Sequence, residues 1–309
     1  MSDFSGIWIP LITPFADGAV DHAALRALVR RYADAGVAGL VALGTTGEPA
    51  TLDAAEQEAV LATILDAREA AANTASHTAS GTALDTASKR RPLPVVVGVS
   101  GNDTASMRAQ IARLNALPLA GLLIAAPYYT RPAQAGIVAH FEALADASAH
   151  PLMLYDIPQR TGVRLELDTL LTLAAHPRIA AIKDCAGSLD TTLALIRDGR
   201  LQVLAGNDLE LFNTLCAGGA GAIAASAHWR PERFVALYRA LVDGRLDEGR
   251  RLFHALVPQI QLAFAEPNPA PVKALLAANG WVRNELRLPM TRVSEALAER
   301  LVALGEERA

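Results

Sequence analysis

Lysine is almost missing from this chain of 309 residues: it stands only at Lys89, Lys183 and Lys273, so 25 of the 28 basic residues are arginine. Where a generic positive charge is wanted the chain uses arginine, so a lysine in an apolar setting needs a reason. Cysteine is just as scarce, and Cys185 and Cys216 lie far apart with no CxxC, which excludes a disulfide framework and a cysteine zinc site. The 7 histidines are scattered without HxH or HExxH, and no carboxylate cluster ends a strand, so no metal is expected. No basic block exceeds Lys89-Arg90-Arg91 and the net charge is −4, which argues against nucleic acid as a partner and for small molecules. Glycine, proline or charge interrupts every apolar stretch before membrane-spanning length, and Met1-Ser2-Asp3-Phe4 begins no signal-like segment. A cytoplasmic location is the expectation.

Hydrophobic residues make up 51% and charged residues 19% of the chain, enough for a sizeable core. Short apolar runs recur in alternation with segments of helical spacing. They are Ile7–Ile12, Gly39–Leu43, Pro94–Val99, Gly121–Ala126, Pro151–Tyr155, Ile179–Lys183, Gln202–Ala205 and Gly221–Ala225. The runs are apolar on both faces, as strands of a parallel sheet covered by helices must be. Asp21 and Asp53 open the first two helices, the second with Glu56 three residues on as a capping box, and Gly36 closes the first. Eight such units imply an α/β fold, a closed (β/α)8 TIM barrel with a C-terminal helical extension. An open doubly wound sheet is the runner-up, but no strand is followed by G-x-G-x-x-G. The expected organisation is a barrel over 1–244, with a flexible Ala/Ser/Thr-rich insertion near 73–91, and C-terminal helices over 245–309. Gly218-Gly219-Ala220-Gly221 precedes its strand and reads as a close-packed turn, not a phosphate loop.

Barrel active sites form where strands end. Lys183 ends the sixth run, where burial should lower its pKa and free an amine able to form a Schiff base with a ketone. The bland alternative is a rim lysine paired with Asp184. Tyr155 ends the neighbouring run and could move protons beside that amine. Gly44-Thr45-Thr46-Gly47-Glu48 supplies a tight turn with hydroxyls and backbone N–H groups suited to a carboxylate.

These motifs resemble, in order and spacing, the dihydrodipicolinate synthase/N-acetylneuraminate lyase family. The resemblance rests on Gly44-Thr45-Thr46-Gly47-Glu48, Pro127-Tyr128-Tyr129-Thr130-Arg131-Pro132, Tyr155-Asp156-Ile157-Pro158-Gln159-Arg160-Thr161-Gly162 and Ile182-Lys183-Asp184. Glu266-Pro267-Asn268-Pro269 and Leu286-Arg287-Leu288-Pro289-Met290 extend it into the C-terminal helices. It implies a pyruvate-dependent class I aldolase, a lyase without external cofactor, usually a homotetramer built from dimers. It also implies roles: Lys183 for the imine with pyruvate, Thr45 and Thr46 for the pyruvate carboxylate, and Tyr155 for proton transfer. Thr45 and Tyr129 would complete the relay, Tyr129 crossing to a dimer partner, and the Ile223 backbone would line the pyruvate pocket.

Arg160 matches the arginine with which the synthase branch binds the carboxylate of aspartate semialdehyde, a residue the sialic acid lyases lack. The implied reaction joins pyruvate and L-aspartate 4-semialdehyde into 4-hydroxy-tetrahydrodipicolinate, on the route to diaminopimelate and lysine. Asp156, Pro49 and His228 depart from the Asn, Ser and Asn common in that branch. They leave open a second reading, an aldolase, lyase or dehydratase of the same family acting on a sugar acid or another 2-keto acid. A catalytically inert 2-keto-acid sensor is the reading from a different class. In lysine-inhibited members, histidines and a glutamate hold the inhibitor. Here Ala54, Gln57 and Ser106 stand in that stretch, with Asn102 and Tyr128 left from the usual set, so insensitivity to L-lysine is expected.

Overall fold

The computed structural model describes residues 3–74 and 91–306. Most of the expected insertion, residues 75–90 with Lys89 among them, lies outside the described residues. The strands in chain order are β1 (Gly6–Pro10), β2 (Phe15–Ala16), β3 (Ala19–Val20), β4 (Gly39–Ala42), β5 (Val95–Val99), β6 (Gly121–Ala125), β7 (Leu152–Asp156), β8 (Ile179–Asp184), β9 (Gln202–Ala205) and β10 (Gly221–Ile223). β2 and β3 form a small antiparallel hairpin. The other eight close into a barrel in the order β1-β10-β9-β8-β7-β6-β5-β4, the parallel architecture that the alternating apolar runs imply.

The strands form where both faces can be buried. Every residue of β1, β4 and β7 is buried, and each enclosed Leu or Ile stabilises the fold by about 1.5–3 kcal/mol. Their ends differ by up to two residues from the apolar runs, because the backbone ladder and not apolarity decides them. Asp156 and Asp184 each extend a strand by one residue that a hydropathy reading leaves out.

Contacts divide the chain into two compact units. The first comprises Met1–Trp8, Val96–Ala224 and Ala236–Ala255. In it, β10 starts at Gly221, whose register partner on β1 is Gly6. A Cβ at Gly221 would overlap the Gly6 backbone, and one at Gly219 would lie 2.8 Å from the Thr214 carbonyl oxygen, so the glycine run is a close-packed turn.

The second unit comprises Ile9–Val95, Ala225–Val235 and Leu256–Ala309. Its helix His22–Ala35 opens on the Asp21 side chain, which accepts from the Ala23 and Ala24 N–H groups, and ends at Gly36 in the left-handed region. The helix Ala54–Thr74 opens on the expected capping box: Asp53 accepts from Glu56 N–H at 2.8 Å and Glu56 accepts from Asp53 N–H at 3.2 Å. That helix reaches Thr74, past Asn73, where the insertion was expected to begin. Trp229, Leu262, Ala274, Leu275, Leu297 and Leu301 form an apolar cluster in this unit. No helix among the described residues is long and apolar enough to cross a membrane.

Candidate active site

In the first unit, parallel pairing of β7 with β8 sets Tyr155 opposite Lys183 and Asp156 opposite Asp184. Both Tyr155 and Lys183 are buried, and the Lys183 Nζ lies 4.3 Å from the centroid of the Tyr155 ring. A cation over an aromatic face is held electrostatically, and the same proximity puts the phenol within reach of chemistry at the amine. Asp184 does not pair with Lys183: its carboxylate accepts from the Thr192 hydroxyl at 2.5 Å and from Ala186 N–H at 3.0 Å.

The protonation of Lys183 differs from the sequence expectation. Burial works against the ammonium, as expected, but Tyr155, Cys185 and Asp208 favour it enough to hold its pKa above the ordinary value. Burial pushes the Tyr155 phenol up, with the Lys183 charge opposing, and pushes the Cys185 thiol up to about 11.

Two residues beside Lys183 escaped the reading of the sequence. A Cβ at Gly206 would overlap the Cys185 Sγ and come within 2.9 Å of Lys183 Cγ, so a side chain here would have to displace both. The only hint in the sequence is that Gly206 directly follows a strand. Asp156 was flagged only as a departure from Asn. It is 2% exposed, accepts from Leu165 N–H at 3.2 Å, and faces Asp184 across the ladder. Burial, set against that hydrogen bond and reinforced by Asp184, pushes its pKa up to about 7.

Arg160 lies exposed on the short helix Pro158–Thr161, and its charge opposes, in small part, the rise that burial imposes on the Tyr155 pKa. Tyr129 is bound through its N–H to the Thr161 carbonyl at 3.1 Å. Its side chain is 90% exposed and its φ is 68°, so the loop turns the phenol outward. Ile223 is buried as the last residue of β10.

Thr45 and Thr46 belong to the second unit, in the helical turn Thr45–Gly47. Thr45 is exposed, whereas Thr46 is buried and its hydroxyl accepts from Asn268 Nδ2 at 2.8 Å. The Thr13 hydroxyl donates to the Gly47 carbonyl at 2.7 Å, which fixes the turn from its other side. Pro49 starts the next helical turn, where its missing N–H costs nothing. His228 is engaged within this unit: Nε2 accepts from Ile12 N–H at 3.2 Å and Nδ1 donates to the Ala225 carbonyl at 2.8 Å. Burial pushes its pKa down to about 4, so it stays neutral.

The chain is also similar to known proteins. The model of the Dihydrodipicolinate synthetase family matches residues 3–307. The 4-hydroxy-tetrahydrodipicolinate synthase 2 of Clostridium acetobutylicum is 36% identical over 299 residues, 96% of this chain and 97% of that protein. The solved dihydrodipicolinate synthase of Thermotoga maritima superposes with a TM-score of 0.88 at 29% identity, covering 98% of this chain and 97% of that one. That of Cyanidioschyzon merolae, solved with lysine bound, gives 0.87 at 28% identity, covering 98% and 97%.

Proposed function

The chain belongs to the dihydrodipicolinate synthetase family, and from that premise we propose that it condenses pyruvate with L-aspartate 4-semialdehyde to 4-hydroxy-tetrahydrodipicolinate, holding pyruvate as an imine on Lys183. It is a lyase, a class I pyruvate aldolase. The observation that carries the proposal is the register pairing of Tyr155 with Lys183, which brings a buried phenol to a buried amine.

Lys183 gives up its proton and attacks the ketone carbon of pyruvate, and loss of water leaves the imine. The imine draws electrons from the adjacent methyl group, Tyr155 relays the proton that leaves it, and an enamine results. Thr45 and Thr46 hold the pyruvate carboxylate through N–H and hydroxyl donors, and the Ile223 backbone borders the bound pyruvate. Arg160 takes the carboxylate of the semialdehyde, for which a planar guanidinium is the fitting partner. The enamine carbon attacks the aldehyde carbon, whose oxygen takes up a proton. The semialdehyde's own amine then adds to the imine carbon, closing the ring and releasing Lys183. The imine is itself the electron sink, so no external cofactor takes part.

The proposal includes a homotetramer built from dimers. A phenol as exposed as that of Tyr129 suits donation to a neighbouring copy, where with Thr45 it extends the proton relay. Borohydride reduction in the presence of pyruvate tests the mechanism: a reduced pyruvyl mass is expected at Lys183, and Lys183→Arg should keep the fold and lose both label and turnover. Label spread equally over Lys89 and Lys273, or none at Lys183, would remove the Schiff base. A coupled assay with aspartate semialdehyde against sugar-derived aldehydes tests the substrate, and preference for a sugar aldehyde would replace the assignment.

A further inference from the structure

Of the two lysines without a part in this mechanism, Lys273 is buried. Lys273, on the helix Ala270–Ala278, is 0% exposed, and its ammonium pairs with the Glu48 carboxylate, itself 2% exposed. It also donates to the Glu285 carbonyl at 3.0 Å and lies 4.1 Å from the centroid of the Phe15 ring. Apart from the Lys273 ammonium, no donor reaches either Glu48 oxygen among the described residues, and Arg287 adds only a charge acting on it from further off, so Lys273 is the partner in direct contact with that carboxylate. A buried ion pair is poor evidence for stability, since apolar residues of the same volume commonly serve as well.

Its place in the second unit gives it another use. Glu48 directly follows the Thr45–Gly47 turn and closes it, donating its N–H to the Thr45 carbonyl at 3.2 Å. Its φ of 54° is a left-handed conformation that a residue with a Cβ adopts only when its surroundings hold it there. Asn268, from the stretch just before that helix, donates to the Thr46 hydroxyl oxygen and leaves the Thr46 O–H free to donate elsewhere. The stretch 268–273 therefore grips the turn at Thr46 and at Glu48. An unneutralised Glu48 would also repel any anion bound by the turn.

We infer that Lys273, acting through Glu48, is a positioning residue that holds the Thr45–Thr46 turn in its carboxylate-binding shape and cancels the charge beside it. The inference rests on the assignment of Thr45 and Thr46 to the pyruvate carboxylate. The test is borohydride trapping over a range of pyruvate concentrations, with the Lys183 label read by mass spectrometry and folding followed by circular dichroism. Wild type labelled at Lys183 keeps the proposed mechanism standing. For Lys273→Met we expect the half-saturating pyruvate concentration to rise at least tenfold, with full labelling at saturation and an unchanged KM for the aldehyde. The double variant Lys273→Met/Glu48→Gln removes the buried charges together, so it should recover thermal stability yet keep a raised pyruvate requirement. If the single variant does not fold, the double variant decides. Wild-type half-saturation in a folded variant, with only melting temperature changed, would overturn the positioning role and leave the mechanism intact. An unlabelled wild type would overturn both.

Discussion

Asp156→Asn should stabilise this protein, and by an amount that depends on pH in a calculable way. In the folded chain the Asp156 carboxyl titrates at about 7, against 3.8 for the free group. Below pH 3.8 both states hold the proton and the group contributes no pH dependence. Between 3.8 and 7 the unfolded chain ionises while the folded chain keeps its proton, so stability falls as pH rises, by about 1.4 kcal/mol per unit, and levels off above 7. The accumulated cost is about 4 kcal/mol at pH 8 and about 1.5 kcal/mol at pH 5. An asparagine has no proton to lose, keeps an oxygen for the Leu165 N–H, and puts an amide toward Asp184 in place of a second carboxyl. With an unfolding entropy of about 2.1 cal/mol/K per residue, 4 kcal/mol corresponds to a Tm gain of about 6 °C for a chain of this length. Scanning calorimetry of both proteins at pH 5 and pH 8 reads the difference. A gain of the same size at both values, or a loss at pH 8, would show that Asp156 is not a carboxyl strained by burial.

Arg160→Ala should lower kcat/KM for aspartate semialdehyde by roughly 10- to 150-fold, the 1.5–3 kcal/mol scale of a charge-assisted hydrogen bond, and leave pyruvate trapping at Lys183 intact. Unchanged semialdehyde kinetics would exclude Arg160 from the aldehyde site. Gly206→Ala should cost about 1–3 kcal/mol in a melt and slow imine formation in stopped-flow trapping, because the added methyl displaces Lys183 and Cys185. A variant with wild-type trapping would show that the close approach is relieved elsewhere. Initial rates should stay flat over an L-lysine titration. Ser106 is bound to Asp103, the Gln57 amide donates to the Pro49 and Leu52 carbonyls, and Asn102 accepts from Tyr128 N–H. Saturable inhibition would show that Asn102 and Tyr128 suffice to hold the effector.

The barrel and the order of its strands could be read from the chain because their causes are local. Strands buried on both faces need runs of apolar residues, helix starts need a side-chain acceptor such as Asp21 or Asp53, and both act within a few residues. The neighbourhood of Tyr155 and Lys183 follows from the same reasoning, since consecutive parallel strands in a barrel lie side by side. The charge state of Lys183 was not legible. The direction of its pKa shift is a balance of burial against Tyr155, Cys185 and Asp208, and the last of these lies 25 residues on, where spacing does not assign it to this point. His228, flagged as a departure at a loop, is tied by both ring nitrogens inside the second unit and meets no solvent.

By itself, then, the amino-acid order determined the alternation of elements, the closed parallel barrel, the pairing of a phenol with an amine and the family to which the chain belongs. Only the tertiary structure decided that Asp184 is satisfied by Thr192 while Asp156 is strained by its burial, that a side chain at position 206 would have to displace Lys183 and Cys185, and that Lys273 neutralises Glu48. The physical reason is distance along the chain. Asn268 and Thr46 are 222 residues apart, and a buried charge or hydroxyl is compensated by whatever the fold brings to it, which residue type and local spacing do not specify.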